Sequence, residues 1–361
     1  MNELPAVVIT SRLPPLVCGV GTYSWLAHKY RPNDSAAAQF LVVEGAAASR
    51  AQLDWNAITD FHGDPKELTR ALDRVGAGEI LLHYAGRAYQ PYGCPVWLPG
   101  VLRKWKVKFP NGRLTIFFHE VPGELPRVSP QFLFAKINAR IIRQLATIAD
   151  AVATNSDNHA AILRKLSGRD TIHWFPVSSN IELVPSVSES RVETEFVIFG
   201  LPFNRAQTLT LYGSKISEWY EHGLISKLHL IGPETEQFSR GQTELESFST
   251  ALVHHGALSE SEVAKLLRRV RFALASVTAA TWSKSSSFMA YAAHACAVVT
   301  SEKQEEVPLC YGISADEVGR ISGSEIETRT EALTKWYEEN ATWPKIAGRL
   351  AALSQLNGVV R

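Results

Sequence analysis

What most constrains this chain is the form of its apolar runs. "AVVITS" (Ala6–Ser11), "QFLVVE" (Gln39–Glu44), "EILLHY" (Glu79–Tyr84), "LTIFF" (Leu114–Phe118) and "AVAT" (Ala151–Thr154) are short and lack period-two alternation. Strands of that kind are buried on both faces, as in a parallel sheet covered by helices. Helical patterns such as "PKELTRALDRV" and "FAKINARIIRQLATIA" fall between them. Parallel strands need such crossovers, and the crossovers are right-handed.

The alternation breaks at "NIELVPSVSESRVETE" (Asn180–Glu195), a polar stretch that reads as a linker. It then restarts with "FVIFG" (Phe196–Gly200), "LHLIG" (Leu228–Gly232), "FALAS" (Phe272–Ser276) and "AVVTS" (Ala297–Ser301). The expected fold class is therefore α/β, with two tandem Rossmann-like, doubly wound domains over residues 1–180 and 181–335. A helical stretch, 336–361, follows the last clear strand. At 361 residues the chain fits two domains better than one.

Composition closes off several function classes. A net charge of +1 gives no global attraction to nucleic acid. Four scattered cysteines form no CxxC pair, which argues against a disulfide framework or a zinc site. No apolar run is long enough to span a bilayer and no secretory leader is evident, so a cytoplasmic protein is expected.

The chemistry-bearing residues gather where strands end. Gly19 and Gly21 sit between the first strand and its helix, where backbone without Cβ approaches a ligand closely or simply turns tightly. His83 and Tyr84 end a strand at the carboxyl edge of the sheet, and Tyr89 follows. Such edges bind ligands in open α/β sheets, and aromatic faces suit sugar rings. His119 and Glu120 directly follow "LTIFF"; a histidine there is a hydrogen-bonding or proton-transfer group, and otherwise a loop cap. No second histidine follows at helical spacing, so no metal site is expected.

In the second half, Arg205 reads as a strand-to-helix loop residue suited to a phosphate. His255 and Gly256 precede a capped helix, a place for a base or ribose. Lys284, Ser285, Ser286 and Ser287 precede an apolar helix. Hydroxyls, N–H groups and an ammonium at a helix start form an anion receptor in composition, although a serine there also serves as a plain cap. The helix over 98–108 is basic and amphipathic; such helices either dock with a solvated face or lie on a membrane.

Taken in order, "PPLVCGVGTY", "TIFFHEV", "ADAVATNSDNHAAIL", "FPVSSNIE", "HHGALSESEVAKLLRRVRFALAS" and "SSSFMAYAAHACAVVTS" resemble the GT-B glycosyltransferases, family 4 in particular. The resemblance implies two domains facing each other across a cleft, with the terminal helix returning to the first. It implies a nucleotide-sugar donor, a glycan or small-molecule acceptor, retention of configuration, and no metal or further cofactor. By position it places His119 beside the reacting sugar, Gly19 and Gly21 near the donor phosphates or the acceptor, and Arg205 and Lys284–Ser287 at the donor phosphates. The residues' own places in the chain point to Glu120 as a catalytic partner of His119, to His255 and Gly256 for the nucleoside, and to His83, Tyr84 and Tyr89 for the acceptor cleft. Peripheral contact with a membrane is compatible with it; a nucleic-acid partner is not expected.

One departure is large. The family carries two glutamates eight positions apart near the last apolar helix, and here those places hold Trp282 and Ala290. A catalytically silent GT-B binding protein is therefore the second reading. A nicotinamide-dependent oxidoreductase, suggested by Gly19-x-Gly21 with an incomplete dinucleotide fingerprint, is the third.

Overall fold

The structure is a computed structural model that describes residues 6–16, 18–32, 38–122, 131–183, 190–234 and 250–355. The chain divides into two compact units. The first comprises Met1–Pro176 and Trp343–Arg361, the second Val177–Thr342.

The first unit is built on a seven-stranded parallel sheet. Its strands are β1 (Ala6–Thr10), β2 (Ala38–Val42), β3 (Ile58–Asp60), β4 (Glu79–Tyr84), β5 (Arg113–Phe118), β6 (Ala151–Thr154) and β7 (His173–Trp174), in the order β3-β2-β1-β4-β5-β6-β7. The chain reverses its direction of travel between β1 and β4, so the switch point lies there. Both faces are packed. Val7, Ile9, Leu82 and Ile116 meet helices Pro65–Val75, Leu98–Lys108 and Gln131–Ile148 on one side. Ala6, Val8, Phe40 and Val42 pack with Leu13, Trp25 and Trp55 on the other. Helix Trp343–Gln355 also belongs here: its first residue stacks edge-on against Tyr23 of helix Gly19–Lys29, with ring centroids 5.1 Å apart.

The second unit has a six-stranded parallel sheet. Its strands are β8 (Val192–Phe199), β9 (Lys227–Ile231), β10 (Leu252–Gly256), β11 (Val270–Leu274), β12 (Ala297–Thr300) and β13 (Ile313–Ser314), in the order β10-β9-β8-β11-β12-β13. Its switch point lies between β8 and β11.

Three details depart from the sequence reading. The linker is shorter than expected: 184–189 lie outside the described residues, but Val192–Glu195 already belong to β8. Glu195 is almost fully buried there, accepting bonds from Arg269 (2.6 Å) and His229 (3.1 Å), which explains a carboxylate inside a strand. Four strands, β3, β7, β10 and β13, fell outside the candidates because they are short or polar and lie at or near sheet edges. Helix Gly323–Asn340, which spans the expected boundary at 335, stays with the second unit because Ile326, Leu333 and Tyr337 fill that unit's core.

Candidate functional site

Two constellations stand at the carboxyl edges of the sheets. In the second unit, a cleft of about 540 Å³ opens at the switch point. Its lining includes Phe199 at the end of β8 and Gly200 after it, Gly232 and Pro233 after β9, and Ala275–Thr278 after β11. Gly232 has a positive φ of 136°, and a Cβ there would lie 2.1 Å from the Gly200 carbonyl oxygen, so the floor is held by close backbone contact that only glycine permits.

Two helices begin at this cleft. Helix Pro202–Glu221 starts with proline, which has no N–H to lose. Helix Ser286–Ala293 is capped by Ser285, whose Oγ accepts from the Phe288 N–H at 3.2 Å. The N–H groups of Ser286 and Ser287 make no backbone bond among the described residues. Lys284, exposed, ends a short 3-10 turn one residue before the cap. The cleft therefore offers N–H groups at two positive dipole ends, serine hydroxyls and one ammonium. No Asp or Glu stands among its described lining residues.

The structure thus brings Lys284, Ser285, Ser286 and Ser287 together in one cleft. Lys284 precedes the helix, as expected. Ser285 is committed to capping, and Ser286 and Ser287 form the first turn of the helix instead of preceding it.

Arg205 is placed differently from the sequence expectation. It lies within the first turn of helix Pro202–Glu221, fully buried, and its guanidinium donates to the Pro233 carbonyl. It does not line the cleft; it braces the loop that does. Burial presses its pKa down, and the Glu234 charge opposes this. His255 and Gly256 lie in strand β10, not in a loop, and also stand outside the cleft lining. His255 Nε2 meets His229 Nδ1 at 2.9 Å, forming a chain that runs on to Glu195.

The positions of the absent glutamates are both internal. Trp282 packs edge-on against Trp336 at 5.3 Å, and Ala290 is fully buried in the core. The neighbouring Tyr291 turns its hydroxyl to β8, accepting from the Phe199 N–H at 2.7 Å, and burial pushes its phenol pKa up.

In the first unit the edge next to the switch point carries paired histidines. His83 Nδ1 and His119 Nε2 lie 3.0 Å apart. Their rings are walled by Tyr23 and Phe117, which sit 4.9 Å and 4.7 Å from the His119 ring. Burial lowers the His83 pKa to about 3. Burial, then the His83 and His159 neighbours, hold His119 well below the usual range. Both rings are neutral near pH 7, so His119 offers hydrogen bonds there and not a stored proton. Glu120, next in the chain, is exposed.

Tyr84 and Tyr89 are core residues. The Tyr84 hydroxyl donates to Asn138 Oδ1 at 2.7 Å, and the Tyr89 hydroxyl donates to the carbonyls of His83 (2.7 Å) and Ile9 (3.2 Å). Their rings pack on each other, and they present no free polar edge. Gly21 is a packing glycine: a Cβ there would fall 1.5 Å from the Arg12 carbonyl oxygen. Gly19, one turn position earlier, faces open space. Sequence reasoning did not single out Tyr23 or Asn155, although they lie in "PPLVCGVGTY" and "ADAVATNSDNHAAIL"; Asn155 donates through Nδ2 to the His119 carbonyl at 3.3 Å.

No family model matches the sequence, and no curated protein matches it. Solved structures do. The chain is similar to sucrose-phosphate synthase from Thermosynechococcus elongatus, with a TM-score of 0.69, 12% identity and 98% of each chain covered. It is similar to a glycosyltransferase from Rickettsia africae, with a TM-score of 0.67, 12% identity and 98% of each chain covered. It is also similar to an alpha-glucosyltransferase solved with UDP and DNA, at a TM-score of 0.63 and 12% identity, covering 98% of this chain and 100% of that one. At such identity the likeness establishes the fold alone: two α/β units, each built on a parallel sheet, as in the two-domain GT-B glycosyltransferases.

Proposed function

We propose that this protein transfers a sugar from a nucleoside-diphosphate sugar to an acceptor. The observation that carries this reading is the second unit's cleft: two helix N-termini and Lys284 around a space with no described carboxylate, which suits a diphosphate. The alpha-glucosyltransferase neighbour was solved with UDP, which supports a nucleotide as the ligand class. Cationic and N–H groups at this position stabilise a departing diphosphate as its charge develops. Charge is balanced by these groups, so turnover is expected to survive EDTA; loss of activity on chelation would remove that part of the reading. Retention of configuration follows the resemblance, and NMR of the first-formed product's anomeric centre checks it.

Calorimetry with UDP, GDP, ADP and NAD tests the whole reading. Binding of a nucleoside diphosphate, weakened by Lys284→Ala, supports it. Binding of NAD alone sinks it in favour of hydride transfer. The buried positions of Trp282 and Ala290 favour a second reading, a silent binding protein of the same fold. Nucleotide-sugar binding with no turnover on any acceptor, and no slow donor hydrolysis, would select it.

We also assign a membrane-facing surface to the first unit. Arg103, Arg140, Arg143 and Lys165 line one groove, and none has an ion-pair partner among the described residues. Leu133 (62% exposed) and Phe134 (39%) stand at the start of the same helix as Arg140, with Tyr92 stacked on Phe134 at 5.2 Å. Cations beside exposed apolar rings suit an anionic bilayer surface. Co-sedimentation with vesicles containing phosphatidylserine, lost in Arg140→Glu/Arg143→Glu, checks this; equal recovery with neutral vesicles argues against it.

A further inference from the structure

The two histidines at the first sheet's carboxyl edge play unequal parts. One proton lies between His83 Nδ1 and His119 Nε2 across their 3.0 Å contact. His83 is fully sealed, and its other nitrogen, Nε2, has no hydrogen-bond partner among the described residues. Nδ1 of His119 is not among the sealed nitrogens. That leaves two arrangements of the protons.

If His119 donates, His83 keeps its own proton on Nε2, and a buried N–H faces no acceptor. If His83 donates, its sealed Nε2 is a bare lone pair. Buried N–H groups without acceptors are the rarer case in folded proteins. The second arrangement also leaves Nδ1–H as the outward group of His119. Neither ring can turn to escape the choice. Tyr23 and Phe117 crowd both, with ring centroids 4.7 to 5.9 Å away. The backbone is pinned as well: His119 N–H donates to the Tyr84 carbonyl at 2.9 Å, and Tyr89 holds the His83 carbonyl.

We propose that His83 is a positioning residue that donates Nδ1–H to His119 and so fixes His119 as a neutral donor, Nδ1–H outward, toward an acceptor oxygen of the bound sugar. This rests on the sugar-transfer reading above. His119 then works by a directed hydrogen bond in dry surroundings, where such bonds are strong, and moves no proton. The titratable groups that act on the pair are Tyr23 from helix Gly19–Lys29 and His159 from helix Asp157–Ser167, with Glu120 exposed beside it. None competes as an anion for the shared proton.

Long-range proton–nitrogen NMR on the full chain reads the tautomer without any substrate. Wild type near pH 7 is expected to show His119 Nδ1 as the protonated nitrogen and Nε2 as the bare one, with assignments taken from His119→Gln. A proton found on Nε2 overturns the proposal. His83→Phe keeps a ring but cannot donate, whereas His83→Asn places an amide N–H near the same point. The Phe variant should average the His119 tautomers, and the Asn variant should restore the wild-type pattern.

The kinetic counterpart uses UDP-glucose, GDP-mannose and ADP-glucose hydrolysis. The Phe variant should lose kcat by on the order of tenfold with KM nearly unchanged, and the Asn variant should recover most of it. A packing role alone predicts Phe to perform at least as well as Asn, and that result overturns positioning. If wild type hydrolyses and binds no donor, the transfer reading fails, while the NMR result still decides the tautomer.

Discussion

At corresponding places in the two sheets, the carboxyl edge beside the switch point, the units offer opposite chemistry. The second unit presents an open cleft of hydroxyls, N–H groups and an exposed ammonium. The first presents two neutral histidines walled by aromatic rings, of which only His83 is fully sealed. Under the proposed function, the contrast is a division of labour. Open, charge-complementary groups that water can also reach suit an anion. A dry donor of fixed direction suits a neutral hydroxyl, because only a desolvated hydrogen bond carries much discrimination.

Four changes break or sharpen this contrast, taken from the largest effect down. Gly21→Ala puts a methyl into the Arg12 carbonyl and should destabilise the first unit by about 3 kcal/mol or more, read as a lower urea midpoint. An unchanged midpoint would mean that the strand-to-helix turn yields easily.

Acid comes next. The folded pKa of His83 is depressed to about 3, below its unfolded value, so the unfolded chain takes up the proton first. Stability is therefore full above about pH 6.5 and falls toward pH 3, by roughly 1 kcal/mol per pH unit for each such histidine. Urea titrations at stepped pH check the slope, and His83→Phe should flatten it.

Lys284→Ala should weaken nucleoside-diphosphate binding by about 1–3 kcal/mol, seen by calorimetry, with little change in stability because the side chain is exposed. Ser285→Ala removes the cap from helix Ser286–Ala293 and should cost about 1 kcal/mol in stability. A larger loss of nucleotide affinity than of stability there would show that the serine touches ligand as well as helix.

Much of the framework was legible in the sequence, for a simple reason. Strands buried on both faces leave unbroken apolar runs, and β4 and β6 fall where "EILLHY" and "AVAT" place them. Polar strands leave no such mark. "LVHHG" became β10 because β9 offers it a parallel partner, and its register, Leu252 to Leu228 and Val253 to His229, is a tertiary fact. Arg205 was misread for a related reason: Pro202 starts its helix earlier than the apolar pattern suggests.

The grouping of Lys284 to Ser287 at one cleft was legible because these residues are contiguous. The histidine pair was not. Its members are separated by the crossover helix Leu98–Lys108, and they meet only because β4 and β5 pair with His83 beside Phe117, two residues short of His119. Tyr84 and Tyr89 read as an aromatic edge but are core residues, because which atoms face outward depends on packing that no single stretch encodes.

The pairing of Trp343 with Tyr23 has a consequence for biosynthesis. Tyr23 is in the ring cluster around His119, so the first unit's wall is completed by a segment made after the whole second unit. During synthesis the second unit has all its strands before that segment leaves the ribosome, whereas the first waits with the Tyr23 side of its sheet uncovered. The unit whose strands are made first is thus completed last, and a chaperone or a nascent-chain stall acting late would affect the histidine edge while sparing the second unit's cleft.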